Sequence, residues 1–282
     1  LYGIDIDADK VAKLKAARVP FYEPNLEALL KKTQASGLLR FTTDYSQAIP
    51  ASEIIIIAVG TPSQADGSVD LRFLDAALTS LAQHLIPGQV IAIKSTLPPH
   101  AIDYAERRLH ELTEVPFHLA TIPEFLREGS AVHDTFHPAR IVIGSTSPEA
   151  VAKLVELHKP FQAPILQMKP ASAQMAKYAA NAYLATRITF INQIADLCEA
   201  TDADVEEVIE AIGYDARIGS HYWYPGLGYG GSCFPKDVRE LAHYSRTIGA
   251  SENLFNQLAR LYETRLIGLY QAFEEWVGGW EG

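Results

Sequence analysis

Residues Ile54-Ile-Ile-Ile-Ala-Val59 form an unbroken apolar run dominated by β-branched side chains. Strand side chains alternate between two faces, so a run without polar alternates predicts a strand covered on both sides. Such cover is found where parallel strands are joined by crossover helices packed on the sheet. The first 170 residues keep that rhythm. Strands are predicted at 1–6, 39–42, 53–59, 90–94, 117–121 and 140–144, the last closing the series. Helical segments at 8–17, 25–32, 45–48, 71–85 and 99–112 alternate with them. The expected fold class is α/β, a doubly wound parallel sheet whose strand ends at the carboxyl edge face a ligand crevice.

From about Pro170 the pattern becomes purely helical. Residues 171–200 contain neither proline nor glycine and can form one long helix; 205–212, 235–248 and 253–277 are further helices. The domain boundary is expected between Pro164 and Pro170, giving domains at 1–168 and 169–282. The tail 278–282 reads as a linker or a cut end. The chain opens on Leu1 inside an apolar segment, which argues for sequence missing upstream. At 282 residues and 48% hydrophobic, the chain can bury more than one core. A net charge of −10 without a basic cluster argues against nucleic acid or an anionic membrane as partner. Only Cys198 and Cys233 are present, which excludes a disulfide scaffold and fits a reducing, cytoplasmic setting. Cys198 reads as a buried, inert thiol, and the nine histidines lack metal-ligand spacing, so no metal is expected.

The most informative string is Gly228-Tyr-Gly-Gly-Ser-Cys-Phe-Pro-Lys-Asp237. It sets a cysteine in a glycine-rich turn, with Pro235 placed to open a helix directly behind it. A thiol at a helix N-terminus meets the positive end of the macrodipole, which favours thiolate. Lys236 and Asp237 add a cation and a carboxylate within one turn. Flanking glycines let a substrate approach the backbone. That combination fits covalent catalysis better than core packing.

A second string, Pro123-Glu-Phe-Leu-Arg-Glu-Gly129, follows a strand end and offers two carboxylates, Glu124 and Glu128, four residues apart. Either can position or activate water. Lys177 and Asn181 stand one turn apart on the long helix and share a face. Such a pair can stabilise a developing oxyanion. Asp5 at the end of the first strand serves two roles equally well by position alone: binding a ribose diol or capping the following helix.

Together these motifs are similar to those of the UDP-glucose/GDP-mannose dehydrogenase family, and the resemblance runs along nearly the whole chain. It implies a Rossmann-like NAD domain followed by an all-helical central domain with a long helix. The family's Gly-x-Gly-x-x-Gly turn belongs before Asp5 and is not in the chain, and a C-terminal nucleotide-binding domain is also missing. The segment alone is therefore expected to be inactive. For the cofactor NAD, the resemblance implies contacts from Asp5, Lys10, Thr61 in Val59-Gly-Thr-Pro62, Thr96 in Lys94-Ser-Thr96, Glu128 and Lys236. Thr61 and Thr96 also read as ordinary strand-ending turns. The implied catalytic set is Cys233, Lys177, Asp237, Asn181, Glu128, Glu124 and Thr96. The implied substrate contacts are Glu124, Lys177, Asn181, Arg217 (reaching a neighbouring subunit), Tyr222, Tyr224, Tyr229 and Gly230. A tyrosine-rich loop that merely packs is the alternative for Tyr222 and Trp223. One departure stands out, Ile122 where the family carries asparagine.

The implied reaction is a four-electron oxidation of a primary alcohol to a carboxylate with NAD used twice, through a thiohemiacetal and a thioester on Cys233. Arg140-Ile-Val-Ile-Gly144 leans toward the UDP-glucose branch, with UDP-glucuronate as product. GDP-mannose and UDP-N-acetylmannosamine stay open as substrates. The family's homodimer, formed through the long middle helix, makes residues 171–200 the expected interface. A single-step hydroxyacid dehydrogenase has the same two-domain plan but no use for Cys233.

Overall fold

The computed structural model describes residues 1–250 and 253–278, so the expectation for the end of the tail, 279–282, lies outside the described residues. Contacts divide the chain into two units, one made of Leu1–Thr61 and Asp70–Lys177, the other of Pro62–Val69 and the chain from Tyr178 onward. The crossing from one to the other falls inside the long helix, and the short segment Pro62–Val69 interrupts the first unit in sequence while packing in the second.

In the first unit, β1 (Tyr2–Ile4) and β2 (Arg40–Thr42) pair in parallel as a two-stranded sheet, with α1 (Ala8–Lys15), α2 (Leu26–Ala35) and α3 (Tyr45–Ala48) around them in sequence. A five-stranded sheet runs β3 (Ile54–Ile57), β4 (Gln89–Ile93), β5 (Phe117–Thr121), β6 (Ile141–Gly144), β7 (Ile165–Met168). The connecting helices are α4 (Arg72–Ala82), α5 (His100–Leu112), α6 (Ala131–Phe136) and α7 (Pro148–His158). This is a Rossmann-like arrangement with three corrections to the expectation. The sheet is not wholly parallel, since β5 and β6 meet antiparallel at Thr121 and Gly144. The strands do not close at β6, because β7 follows and pairs with it in parallel. β7 is only four residues long and lies between Pro164 and Pro170, which reads as a boundary; it takes the edge of the sheet, with Leu166 open to solvent. Finally, the run that predicts a strand covered on both faces forms an edge strand, and Ile56 is 44% exposed.

Full burial falls instead on β4, whose five residues are all buried. Val90 and Ala92 join Ala120, Ile122 and Ile143 against Ala150 and Leu154 of α7. Ile91 and Ile93, both wholly buried, point to the opposite face. Each such isoleucine contributes about 1.5–3 kcal/mol by leaving water. Gly144 is required by contact, because a Cβ there would stand 2.7 Å from the Ala173 Cβ and 2.9 Å from the Pro170 Cα.

The second unit is built from α8 (Pro170–Thr201, whose first eight residues belong to the first unit), α9 (Val205–Gly213), α10 (Phe234–Thr247) and α11 (Leu254–Trp276). The core joins Ala185, Ile188, Tyr229, Val238 and Leu258. Asp204 caps α9 and Asn253 caps α11 through side-chain acceptors, which sets both starts. Among the described residues, no helix is long and apolar enough to cross a membrane.

Candidate active site

On the first unit the functional residues gather at the carboxyl ends of β1, β3, β4 and β5. Asp5 follows β1, yet the cap of α1 is Asp7, which accepts from the amides of Asp9 and Lys10 at 2.9 and 3.0 Å. The capping alternative for Asp5 is thereby removed. Its carboxylate sits 2.5 Å from Lys10 Nζ and accepts from the Asp7 amide. Burial works to raise the Asp5 pKa, but the Lys10 and Asp7 hydrogen bonds outweigh it and hold the carboxyl below its ordinary value. An ionised carboxylate freed from capping fits the ribose hydroxyls of NAD.

Thr61 is buried and Thr96 half-buried. Ser95 Oγ donates to the Val59 carbonyl at 2.7 Å, pinning the turn that leads to Thr61 to the end of β4. The loop carrying Thr96 is held by Gln174, whose Oε1 accepts from the Leu97 amide and whose Nε2 donates to Ser95 O and, at 2.5 Å, to Thr121 Oγ1. Gln174 is wholly buried and was missed from sequence; its one signal is a place on α8 three residues before Lys177.

Lys177, also buried, donates to Glu124 Oε1 at 3.2 Å, while Glu124 Oε2 accepts from the Leu126 amide. Phe125, between the two motif carboxylates, lies under the Arg140 guanidinium at 3.5 Å from its centroid and 5.5 Å from Lys177 Nζ. Lys94 shares this region. Burial pulls its amine below the ordinary value, with Glu124 working against the shift and Lys177 adding to it. Cations thus outnumber carboxylates here, as a site for developing negative charge needs. Glu128 is exposed in the turn before α6. That turn is tied at Arg127, which holds Asp134 by Nη2 at 2.6 Å, and at Gly129 and Ala131, whose amides donate to Glu23. Glu23 caps α6 from a hundred residues away, which no local pattern could announce. Ile122 sits in the core and its amide donates to Ile93 O at 2.9 Å, so the departure from asparagine leaves the strand end intact.

On the second unit, Cys233 is the N-cap residue of α10 and is half-buried; Phe234 is the first helical residue and Pro235 the second, one place later than expected. Its Sγ lies 3.6 Å from Ser232 Oγ. One turn along, Asp237 is 2% exposed and accepts from Asn181 Nδ2 at 2.6 Å. Its other oxygen is 2.7 Å from Lys236 Nζ, at ion-pair distance but out of line for a hydrogen bond. Lys236 also reaches Glu240 at 3.2 Å. Burial would lower the Lys236 pKa, but the carboxylates of Asp237 and Glu240 overcome it and hold the ammonium charged. Glu240, wrapped by Tyr178 and Lys236, was also missed from sequence, though it stands on the face of α10 that carries Lys236.

The loop before Cys233 is braced on α8. Arg187 donates to Ile218 O and Gly219 O and stacks on Trp223 at 3.9 Å, and Trp223 Nε1 donates to the same Gly219 carbonyl. Arg217 is exposed and bidentate on Asp215. Tyr222, at φ +65, packs against the core and lies 5.8 Å from the Tyr224 ring, itself 60% exposed. The Tyr229 ring is buried, stacked 4.3 Å from Tyr262. Gly228 and Gly231 have positive φ, whereas Gly230 does not, and a Cβ on it would meet nothing within 4 Å. Neither backbone nor packing asks for glycine at 230. Cys198 is buried on α8, and among the described residues no His/Cys/Asp/Glu cluster could hold a metal.

Residues 1–162 match the UDP-glucose/GDP-mannose dehydrogenase family's NAD binding domain and residues 171–263 its central domain. A UDP-glucose 6-dehydrogenase of Bacillus subtilis is 41% identical over 99% of this chain and 61% of its own length. One from Pseudomonas aeruginosa is 37% identical over 99% of the chain and 64% of its own length. A solved UDP-glucose dehydrogenase from Pyrobaculum islandicum superposes with a TM-score of 0.94 at 38% identity, over the whole chain and 66% of the other. The chain spans about three fifths of the curated relatives' length. With both domain models matched, the Glu124 string inside the first matched range and the Cys233 string inside the second, the chain belongs to the UDP-glucose/GDP-mannose dehydrogenase family.

Proposed function

We propose that the protein containing this chain oxidises UDP-glucose to UDP-glucuronate with two equivalents of NAD. The observation that carries the reading is the Asn181–Asp237–Lys236 chain one turn behind Cys233, at the N-terminus of one helix. Asp5 and Lys10 would hold the adenosine ribose, with Thr61, Thr96, Glu128 and Lys236 along the cofactor; NAD, when bound, supplies the hydride acceptor for both steps. The protein's own residues do the rest. Asp237, through water, and Lys177 take up the proton and charge of the sugar C6 hydroxyl. The Cys233 thiolate adds to the resulting aldehyde and keeps it from escaping as a thiohemiacetal, whose oxidation leaves a thioester. Glu128 assists water in cleaving the thioester, and Glu124 holds that water and Lys177 in place.

Asn181 shares the hold on C6, and Arg217, Tyr222, Tyr224, Tyr229 and Gly230 border the nucleotide sugar. UDP-glucose is favoured over the alternatives by likeness. Relatives named for it reach 41% identity, whereas solved structures titled for UDP-D-MAnNAc and GDP-mannose dehydrogenases stand at 27% and 29%. A cytoplasmic homodimer through α8 completes the reading, supported by Tyr183, Phe190 and Leu197, exposed at seven-residue spacing along that helix.

The test is NADH formed per UDP-glucose consumed by the full-length enzyme. Two per sugar is expected, with a Cys233→Ser enzyme that no longer makes the acid. One per sugar would point to a single-step dehydrogenase, and a Cys233→Ser enzyme working at the normal rate would sink the covalent route.

A further inference from the structure

Glu240 has no place in the reaction just described, yet it is among the most committed side chains of the second unit. It is 2% exposed and its carboxylate is reached from three separate segments. From α8, Tyr178 Oη donates to Oε2 at 2.7 Å. From α10, Lys236 Nζ lies 3.2 Å from Oε2 and 3.4 Å from Oε1. From the Pro62–Val69 segment, Ser63 Oγ donates to Oε1 at 3.2 Å. Burial pushes the Glu240 carboxyl above its ordinary value and Asp237 adds to this, while Lys236 and Tyr178 work against it. A carboxylate is worth burying at such cost only when each donor it satisfies is itself held in place.

The third of these partners is the informative one. Pro62–Val69 lies inside the residues matched to the NAD binding domain, but its contacts are with the unit that carries Cys233. It is a short strap, closed by the Gln64 amide on Ser68 O and by a bridge between Ser63 and Val69. Among the described residues its anchors are on α10. Ser63 is bound to Glu240, the Asp66 carbonyl meets His243 Nδ1 at 2.9 Å and Arg246 Nη2 at 3.4 Å, and Gly67, at φ +86, is pressed so close that a Cβ would stand 3.2 Å from Arg239 O. Of these anchors only Glu240 also touches Lys236, the partner of Asp237.

We propose that Glu240 is a positioning residue for the proposed dehydrogenase reaction: it ties the strap of the cofactor domain's chain to the Lys236–Asp237 pair, so that one buried carboxylate sets both. Glu240 touches neither substrate nor cofactor in this proposal; it acts through Lys236 and Ser63. Without it, Lys236 keeps only Asp237 as a partner, and the strap loses its hydrogen bond to the side chain that pairs with Lys236.

The inference rests on the dehydrogenase reading, so its test has one arm that needs no substrate. In the full-length protein, Glu240→Ala should speed amide hydrogen exchange in residues 62–69 by tenfold or more, and Ser63→Ala should do the same. In steady-state assays with UDP-glucose and NAD, each substitution should lower kcat about tenfold with KM for UDP-glucose within twofold. The double variant should be no worse than Glu240→Ala alone, because both cut one link. Glu240→Gln keeps an acceptor for Ser63, so it should restore strap protection while leaving kcat low, since Lys236 loses a charged partner. Unchanged exchange in the strap, or losses in kcat that multiply in the double variant, would overturn the proposal. If the wild type forms no NADH from UDP-glucose while strap exchange still rises in Glu240→Ala, the substrate reading fails and the anchoring role is supported.

Discussion

At the scale of single residues, the buried polar side chains carry the organisation of the site, and their worth lies in what is orphaned when they go. Gln174 is the clearest case, since three groups at the Thr96 loop depend on it. Replacing it with methionine, of similar volume, leaves the Leu97 amide and the Thr121 hydroxyl without that partner. The expected cost is about 1–3 kcal/mol for a buried donor left unpaired. Urea unfolding should show that loss, together with a fall in kcat larger than any change in KM; an unchanged midpoint would mean water replaces the amide at no cost. Residues of this kind are poorly legible in a sequence. Cys233, Lys236 and Asp237 announced themselves because a thiol, a cation and a carboxylate crowd one glycine-rich string. Gln174, Glu240 and Glu23 did not, because, Lys236 beside Glu240 apart, their partners lie 53 to 177 residues away and a lone Gln or Glu looks like solvated surface.

At the scale of elements, the helices of the second unit were readable to within a residue or two, because residues 171–200 hold neither proline nor glycine, Pro235 marks the start of α10, and Asp204 and Asn253 cap α9 and α11. The strands were less so. The run 53–59 had the composition of a central strand but lies at an edge, and β7 is a four-residue, mostly apolar stretch between Pro164 and Pro170 that reads as a domain boundary. Apolar periodicity reports how much of a strand's surface is covered, and sheet order decides which strand gets the cover. α8 carries a prediction of its own. Tyr183, Phe190 and Leu197 form an exposed stripe of large side chains, none of them charged. If a second copy covers it in the full-length protein, Phe190→Glu would place a charge in that seam. Light scattering should then report a shift from dimer toward monomer at micromolar concentration. A wild type that is already monomeric would remove α8 as an interface.

At the scale of the whole molecule, the charge balance sets how stability responds to acid. Several aspartates are held below their ordinary pKa, Asp70 by Arg72, Asp75 by Arg108 and Tyr104, and Asp134 by Arg127. A carboxyl whose folded pKa lies below its unfolded value stabilises the fold above about pH 4 and loses that contribution as pH falls through the folded value. Glu240 has the opposite sign, being raised, and softens the trend. The urea midpoint should therefore hold from pH 7 to about 5 and drop between pH 4 and 3. A flat midpoint down to pH 3 would show that these ion pairs contribute nothing. The three places where the chain passes between its units are also unlike one another. Two are loop peptide bonds, at 61–62 and 69–70, and the third is the middle of α8, between Lys177 and Tyr178. A helix advances about 1.5 Å and turns about 100° per residue. Lys177 and Asn181 are therefore gauged against each other as teeth on one rack, about 6 Å apart in advance and nearly in phase. Substitutions along α8 can drift without disturbing that gauge, but one residue added between the two would swing Asn181 roughly 100° away from Lys177. In this chain the spacing of Lys177 and Asn181 is set by counting residues along a rod, and a change of length between them shifts more than a change of any residue that intervenes.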